Sequence, residues 1–329
     1  MDWDNVRTTK ILQCGASRRS RRRSLLSRSR SQNKKSLPRV GLENVFNSPH
    51  SIKSVKTTSP SGLFVAEFHT MRVTILASSS AGNVTLIQAG GTAVLIDIGL
   101  SAKRINGHLN THGIEAKSLS GVLLTHEHGD HTKGLRVFSA NSSVPVFTNP
   151  LTADSLKRSG VVANWNLFAS GAEFQIGNLS VLPFSVPHDA ADPVGFVFRH
   201  AEASFAILTD LGYATKQVVN CVQGVKALLI ETNHDEAMLQ NDTKRPWAVK
   251  QRILSRHGHL SNAAAAEIVA NVATPELRHV LLGHMSEDCN SASMATETIR
   301  TRLDASGHTQ VEIVCASNPG DATPVSITI

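Results

Sequence analysis

The chain has 329 residues, enough for one large domain or two ordinary ones, and a formal charge of +7. The charge is uneven: residues 1–70 carry 14 Lys/Arg against 4 Asp/Glu, whereas residues 71–329 carry 19 against 22. The overall basicity therefore says nothing of a basic face on the larger part, where any such face must be a local patch.

The four cysteines, Cys14, Cys221, Cys289 and Cys315, are widely spaced and form no Cys-x-x-Cys pair. That pattern excludes a disulfide scaffold and a zinc ribbon and predicts a reduced, cytoplasmic protein. No apolar run approaches the roughly 18 residues of a membrane span. The opening MDWDNVRTTK also lacks the basic-then-apolar order of a signal peptide.

Ser17–Ser36, SRRSRRRSLLSRSRSQNKKS, is Arg/Ser low complexity, and the chain stays rich in Ser, Thr, Pro and Lys to about Thr70. Without a hydrophobic period, residues 1–70 read as a disordered basic leader. The alternatives are a basic arm for nucleic acid, a targeting peptide or an over-long gene start. The last is favoured because the first good strand begins directly behind Met71.

From Met71 the apolar alternation predicts strands at 72–77, 84–89 and 92–98, a helix near 101–111 and a strand at 121–125. A helix at 130–139, a strand at 144–147 and a helix around 150–158 follow. β-rich runs come next at 173–176, 179–186, 194–199 and 204–209. The remainder alternates: strand 226–231, helices 246–256 and 262–272, strand 278–283, helix 291–305 and a strand near 310–315. Strand meanders with helices packed outside them predict an α+β fold over residues 71–329, a four-layer αββα sandwich. No internal repeat at a fixed period is evident.

The stretch Thr125–Thr132, THEHGDHT, crowds three imidazoles and two carboxylates behind the apolar run GVLL. Buried together unpaired, these groups would repel or remain desolvated, whereas a divalent cation takes neutral imidazole and ionised carboxylate at once. His126 and His128, two apart, can serve one metal. Asp130 and His131, beyond the turn at Gly129, can serve a second. Three later strands also end on ligand-type residues: His188 in VPHDA, Asp210 in ILTDLGY and His284 in LLGHMSED. The two carboxylate oxygens of Asp210 can be shared between ions. Asp97, ending AVLID, is placed to orient a ligand imidazole, or to serve as a plain strand-end turn residue.

In this order, THEHGDH followed by His188, Asp210 and His284, the chain resembles the metallo-β-lactamase superfamily from Met71 to about Val314. Asp210 stands where the antibiotic-hydrolysing zinc enzymes of that group carry Cys, so the likeness is to its glyoxalase, lactonase and nuclease branches. RVTILASSSAGNVTLIQ, LIDIGLSAKRI, VPHDAADPVGF, LTDLGY, LLIETNHDEAML, KQRILSRHGHLSN and LGHMSEDCN are together similar to the bacterial YycJ/WalJ-type proteins.

The resemblance implies a metallo-β-lactamase sandwich holding two divalent ions, Zn or Mn. It also implies 5′→3′ exonuclease activity on DNA rather than RNA. Glu231 and His259 match the positions where the related tRNA 3′-end nucleases carry a proton-donating Glu and His. The chain departs from the pattern at SSSAGN, where a Gly is often found, at Pro187, where Ser is usual, and at Cys289, where Asn is usual. The 74 residues from Asp210 to His284 leave no room for the cap domain of larger relatives.

Within that frame Asp130 would orient the attacking hydroxide and His259, held by Glu231, would protonate the leaving 3′ oxygen. Phosphate contacts are expected at Ser80 and Asn83 in the SSSAGN turn, and at Ser261 and Asn262 where a helix begins. His234 in TNHDE is a marginal candidate, and His112, His257, His279 and His308 read as structural or exposed. Two other functions stay open. A glyoxalase- or lactonase-like hydrolase of small thioesters or lactones would have no use for Glu231 with His259. A metal-binding regulator would show no turnover.

Overall fold

The computed structural model describes residues 69–316 and 323–329; of the expected basic leader, residues 1–68 lie outside the described part. β1 (Met71–Ser79), β2 (Gly82–Ala89) and β3 (Thr92–Ile96) form an antiparallel meander. β4 (Gly121–Leu123), β5 (Pro145–Thr148) and β6 (Asn164–Leu167) then add in parallel. Their crossovers carry α1 (Ala102–Thr111), the short α2 (Gly129–Thr132) and α3 (Leu135–Ala140), and α4 (Pro150–Arg158).

The chain then repeats itself. β7 (Phe174–Ile176), β8 (Leu179–Ser185), β9 (Val194–His200) and β10 (Ala203–Leu208) run antiparallel. β11 (Ala227–Glu231), β12 (His279–Gly283) and β13 (Glu312–Cys315) follow in parallel. α5 (Lys216–Val222) precedes β11. Three helices, α6 (Glu236–Asn241), α7 (Trp247–Ile253) and α8 (Asn262–Val272), separate β11 from β12, and α9 (Ala292–Ala305) precedes β13. Finally β14 (Val325–Thr328) returns to pair antiparallel with β1.

Each sheet thus has seven strands, β14-β1-β2-β3-β4-β5-β6 and β7-β8-β9-β10-β11-β12-β13, with the same order of antiparallel and parallel pairings. The two halves repeat in backbone although their sequences show no fixed period. The equivalence is sharpest at the ends of β3 and β10, where Asp97 and Asp210 adopt left-handed φ of 59° and 58°. Each is followed by an apolar residue and a glycine.

Strand alternation builds the four layers. In β11, Ala227 and Leu229 face the other sheet while Leu228 and Ile230 face α5, α8 and α9. Three buried clusters follow, one between the sheets and one under each helical layer. This is the αββα sandwich that the pattern predicts. Helix starts follow capping chemistry: Ser101, Asn149, Thr215, Ser261 and Ser291 each accept a backbone N–H in the first turn of their helices. Among the described residues no helix is long and apolar enough to cross a membrane.

Several expectations are corrected. The single helix at 130–139 is two, broken at Gly134, whose Cα packs so closely that an added Cβ would sit 2.2 Å from the Leu100 carbonyl oxygen. The helix at 246–256 ends at Ile253, and the strand at 121–125 ends at Leu123. β6, β14, α5 and α6 were not foreseen. β6 (NWNL) is a half-exposed edge of four residues, two of them asparagines, which are poor strand formers. β14 is four residues long, and its partner β1 lies some 250 residues upstream.

Candidate metal centre

The ligand-type residues meet at one end of the sandwich, beyond the C-terminal ends of β3, β4, β8, β10, β11 and β12. His126, His128 and His188 form one group whose donor atoms lie within 4.8 Å of one another, and Asp130, His131, Asp210 and His284 form a second. Asp210 lies between them: His131 Nε2 is 3.1 Å, His284 Nε2 3.3 Å and His188 Nε2 3.8 Å from its carboxylate. Asp130 Oδ2 is 3.2 Å from both His131 Nε2 and His284 Nε2. The structure thus brings together all seven residues singled out as ligands.

Backbone conformation aims them. Three of the four non-glycine residues with positive φ among the described residues are Asp97, Asp210 and His284, the last at 50°. Each turns sharply at a strand end, a strained geometry that recurs where a side chain must be aimed. The HGDH turn docks on Gly99, where a Cβ would fall 1.7 Å from the Asp130 carbonyl oxygen. Gly99→Ala is expected to destabilise the fold by about 1–3 kcal/mol, the usual scale of overpacking, read as a lower urea midpoint. An unchanged midpoint would show that the turn can move away freely.

His131, His188 and His284 have their other ring nitrogen fixed. His131 Nδ1 donates to Asp97 Oδ2 at 2.7 Å, and Asp97 also accepts from Thr125 N–H and Oγ1, both at 2.9 Å. His284 Nδ1 donates to Glu231 Oε1 at 2.9 Å, and His188 Nδ1 to the Gly258 carbonyl at 3.1 Å. This arrangement turns the Nε2 lone pairs inward, as supporting hydrogen bonds do for metal-bound histidine.

The buried Nε2 of His126 meets no hydrogen-bond partner, nor does Asp210 Oδ2 make a hydrogen bond of good geometry. His188 Nε2 faces His128 Nδ1 at 3.3 Å. Converging lone pairs with few protons between them, on a mixed imidazole and carboxylate donor set, fit divalent cations.

Charge reflects the crowding. Burial and the neighbouring His131 push His126 well below its ordinary pKa. Burial opposes charge on His131 and His284 too, but Asp210 and its neighbours override it and raise both well above the usual imidazole value. Burial alone would lift the Asp210 carboxyl, yet His284 and His131 hold it far below the carboxylate range.

Glu231, fully buried, does more than the sequence reveals. Its Oε1 takes His259 Nδ1 at 2.6 Å as well as His284 Nδ1, and its Oε2 accepts the N–H of Leu211 and of Leu260. Burial would raise its carboxyl, but His259 and His284 bring it down to about 2. Burial disfavours charge on His259, but Glu231 outweighs it and the pKa is raised. Two supports were missed because nothing local marks them: Ser78 Oγ accepts the His284 N–H at 2.8 Å, and Asn233 Nδ2 donates to the His284 carbonyl at 3.1 Å.

Of the phosphate candidates, Ser80 is exposed at the β1–β2 turn. Asn83 is buried, its amide 3.4 Å from Asp130 Oδ2 and 3.2 Å from His131 Nε2. Ser261 and Asn262 have side chains committed elsewhere. Ser261 caps α8 and bonds Glu236, and Asn262 exchanges amide bonds with Asn290. His234 is buried beside Glu231 and belongs to none of the ligand groups. His112, His279 and His308 are half-buried and His257 is exposed, all outside those groups.

Comparison with known proteins agrees with this geometry. "Exodeoxyribonuclease YycJ" of Bacillus anthracis is 33% identical over 242 residues, 72% of this chain and 90% of that protein. "Exodeoxyribonuclease WalJ" of Streptococcus pneumoniae is 31% identical over 263 residues, 78% and 97% respectively. The solved metallo-β-lactamase fold protein YhfI of Bacillus subtilis superposes with a TM-score of 0.59 at 14% identity, over 75% of this chain and 97% of that one, a likeness of fold.

The profile of the "Beta-lactamase superfamily domain" matches residues 92–285. It opens just before Asp97 and closes just after His284, so it brackets the whole cluster. The chain belongs to the metallo-β-lactamase superfamily, in its YycJ/WalJ branch, and is a metal-dependent hydrolase.

Proposed function

We propose that the chain is a cytoplasmic 5′→3′ DNA exonuclease that works with two divalent ions, Zn or Mn. One ion would be held by His126, His128 and His188, the other by Asp130, His131 and His284, with Asp210 shared. The observation that carries the nuclease reading is the Glu231–His259 pair, 2.6 Å apart, with His259 Nδ1 3.8 Å from Asp210 and the imidazole one-fifth exposed at the mouth. A thioester, whose thiolate leaves without a proton, has no need of a buried carboxylate keeping a histidine protonated. A phosphodiester does, because its leaving alkoxide is strongly basic. The names of the two relatives support the same substrate.

Divalent ions bound there would act as Lewis acids that offset phosphate charge and acidify water. The protein's own part is positional. Asp130 Oδ2, partly exposed between His131 and His284, orients the attacking water. Asp97 and Glu231 keep His131 and His284 facing inward. His259, with Nδ1 on Glu231, delivers the proton to the leaving 3′ oxygen from Nε2.

Metal loading should release protons. The acids around His131 and His284 favour their protonated forms in the metal-free protein, so coordination competes with protons there. Zn titration in buffers of differing ionisation enthalpy is expected to report net proton release, with apparent affinity rising with pH. A pH-independent affinity would count against His131 and His284 as ligands.

The function itself is tested on the full chain and an Asp130→Ala variant, with bound Zn and Mn quantified. The substrate is 5′-phosphorylated duplex DNA labelled at its 3′ end, with Mn added. Progressive shortening from the 5′ end by the parent alone supports the reading. Intact DNA despite bound metal would overturn it and favour a small-ester hydrolase or a metal-binding regulator.

A further inference from the structure

Residues 243–258, from just after α6 through α7 to the glycine before His259, hold five Lys/Arg and no Asp/Glu. The rest of residues 71–329 hold 14 and 22. The basic residues of the larger part are thus concentrated here in sequence, although four of the five are engaged by acids or a carbonyl. The same segment carries Trp247 at 62% exposure, Val249 at 40% and Leu254 at 42%, three of the eight exposed large hydrophobics among the described residues. An indole so exposed on a short helix contributes little to folding.

The cations are not equivalent. Lys250 turns inward to the Gln240 carbonyl at 2.8 Å, and Lys244 and Arg245 are tied to Asp288. Arg252 holds Asp189, the neighbour of His188. Arg256 is exposed, lies 4.2 Å over the Tyr213 ring and makes no ion pair among the described residues.

The segment is fixed to the metal centre rather than merely near it. Gly258 accepts the His188 Nδ1–H. Gly212, two residues after Asp210, packs so closely that a Cβ there would meet the Ser255 carbonyl oxygen at 2.3 Å. Trp247 stands five residues before Arg252, about 7.5 Å along the helix axis.

Resting on the nuclease reading above, we infer that this segment is a ledge for single-stranded DNA beside the metal centre. An unstacked base packs on the Trp247 indole, and the adjoining phosphates pass the Arg256–Tyr213 stack. An exposed indole on the same segment as an unpaired guanidinium suits a strand whose bases are free to stack, and the bases of an intact duplex are already stacked. A second copy of the chain is less favoured, because Arg256, which makes no ion pair among the described residues, calls for an anion that this segment does not itself carry.

The test compares the full-length parent with Trp247→Ala, Trp247→Phe and Arg256→Ala on two substrates, a 5′-phosphorylated single-stranded DNA oligomer and bis(p-nitrophenyl) phosphate. Trp247→Ala is expected to raise KM for the oligomer by about 5- to 150-fold, the worth of one stacked base. Its kcat and its turnover of the small ester stay at the parent's level. Trp247→Phe should restore most of the affinity, and Arg256→Ala should lower the salt dependence of KM by about one phosphate contact.

An unchanged KM in both alanine variants, or equal losses on both substrates, overturns the ledge while leaving the nuclease reading standing. A Trp247→Ala variant that turns a dimer into a monomer at unchanged KM overturns it too, marking the patch as a self-contact. A parent that cleaves neither substrate overturns the nuclease reading, and the ledge with it.

Discussion

Asp210→Asn is expected to leave the chain folded and nearly inactive, with hydrolysis down on the order of 10³-fold, the scale of losing a preorganised charge at a reaction centre. Asp210 is 2% exposed and lies within 3.3 Å of His131 and His284 and 3.8 Å of His188 and His259. Its carboxylate thus reaches members of both ligand groups. Asparagine keeps the volume and tolerates the left-handed φ that this strand end requires, so the substitution removes charge with little change of shape. Metal analysis should show loss of bound ion, and circular dichroism should show a retained fold. A variant with full metal content and activity within tenfold of the parent would reduce Asp210 to a turn residue.

His259→Ala should cost about 10²–10⁴ in kcat on DNA, the usual range for a general acid. The loss should be small on bis(p-nitrophenyl) phosphate, whose leaving group needs no proton. Metal content should be unaffected. Glu231→Gln is predicted to share the leaving-group signature and add a second defect, because Glu231 also holds His284. Its metal affinity should fall about 10–100-fold, as when an outer partner of a ligand is lost.

The pH profile separates the two roles further. Glu231 raises the His259 pKa against burial. The protonated acid therefore persists above the ordinary imidazole range and is lost as pH rises through the raised value. In Glu231→Gln the alkaline limb of kcat should move to lower pH. An unmoved limb, or equal losses on both leaving groups, would remove His259 from proton transfer.

What could be read in the sequence was what the sequence makes local. THEHGDH announces itself because four ligand-type residues fall within six positions, and His188, Asp210 and His284 stand out at the C-terminal ends of apolar strands. Asp97 was readable as a strand-end acid, and its bond to His131 Nδ1 gives that position a use. The second bond of Glu231, to His284, was not readable, because it joins strand ends 53 residues apart.

The phosphate candidates at Ser261 and Asn262 were inferred from the start of a helix. The capping that makes that start recognisable is also what occupies the Ser261 side chain. The two-fold repetition escaped for a related reason. What repeats is strand direction and the aspartate–apolar–glycine turn, while the loops between have different lengths.

The return of β14 to β1 bears on how the polypeptide is made. β7 to β13 are contiguous in the chain, so the second sheet can assemble as soon as Cys315 has left the ribosome. The first sheet stays open until Val325–Thr328 arrive to cover β1. Through most of synthesis β1 (MRVTILASS) presents an apolar edge with unpaired backbone groups, the kind of surface that recruits other strands. Vectorial translation therefore delivers the strands of the second sheet in one run, and completes the edge of the first only when Val325–Thr328 follow.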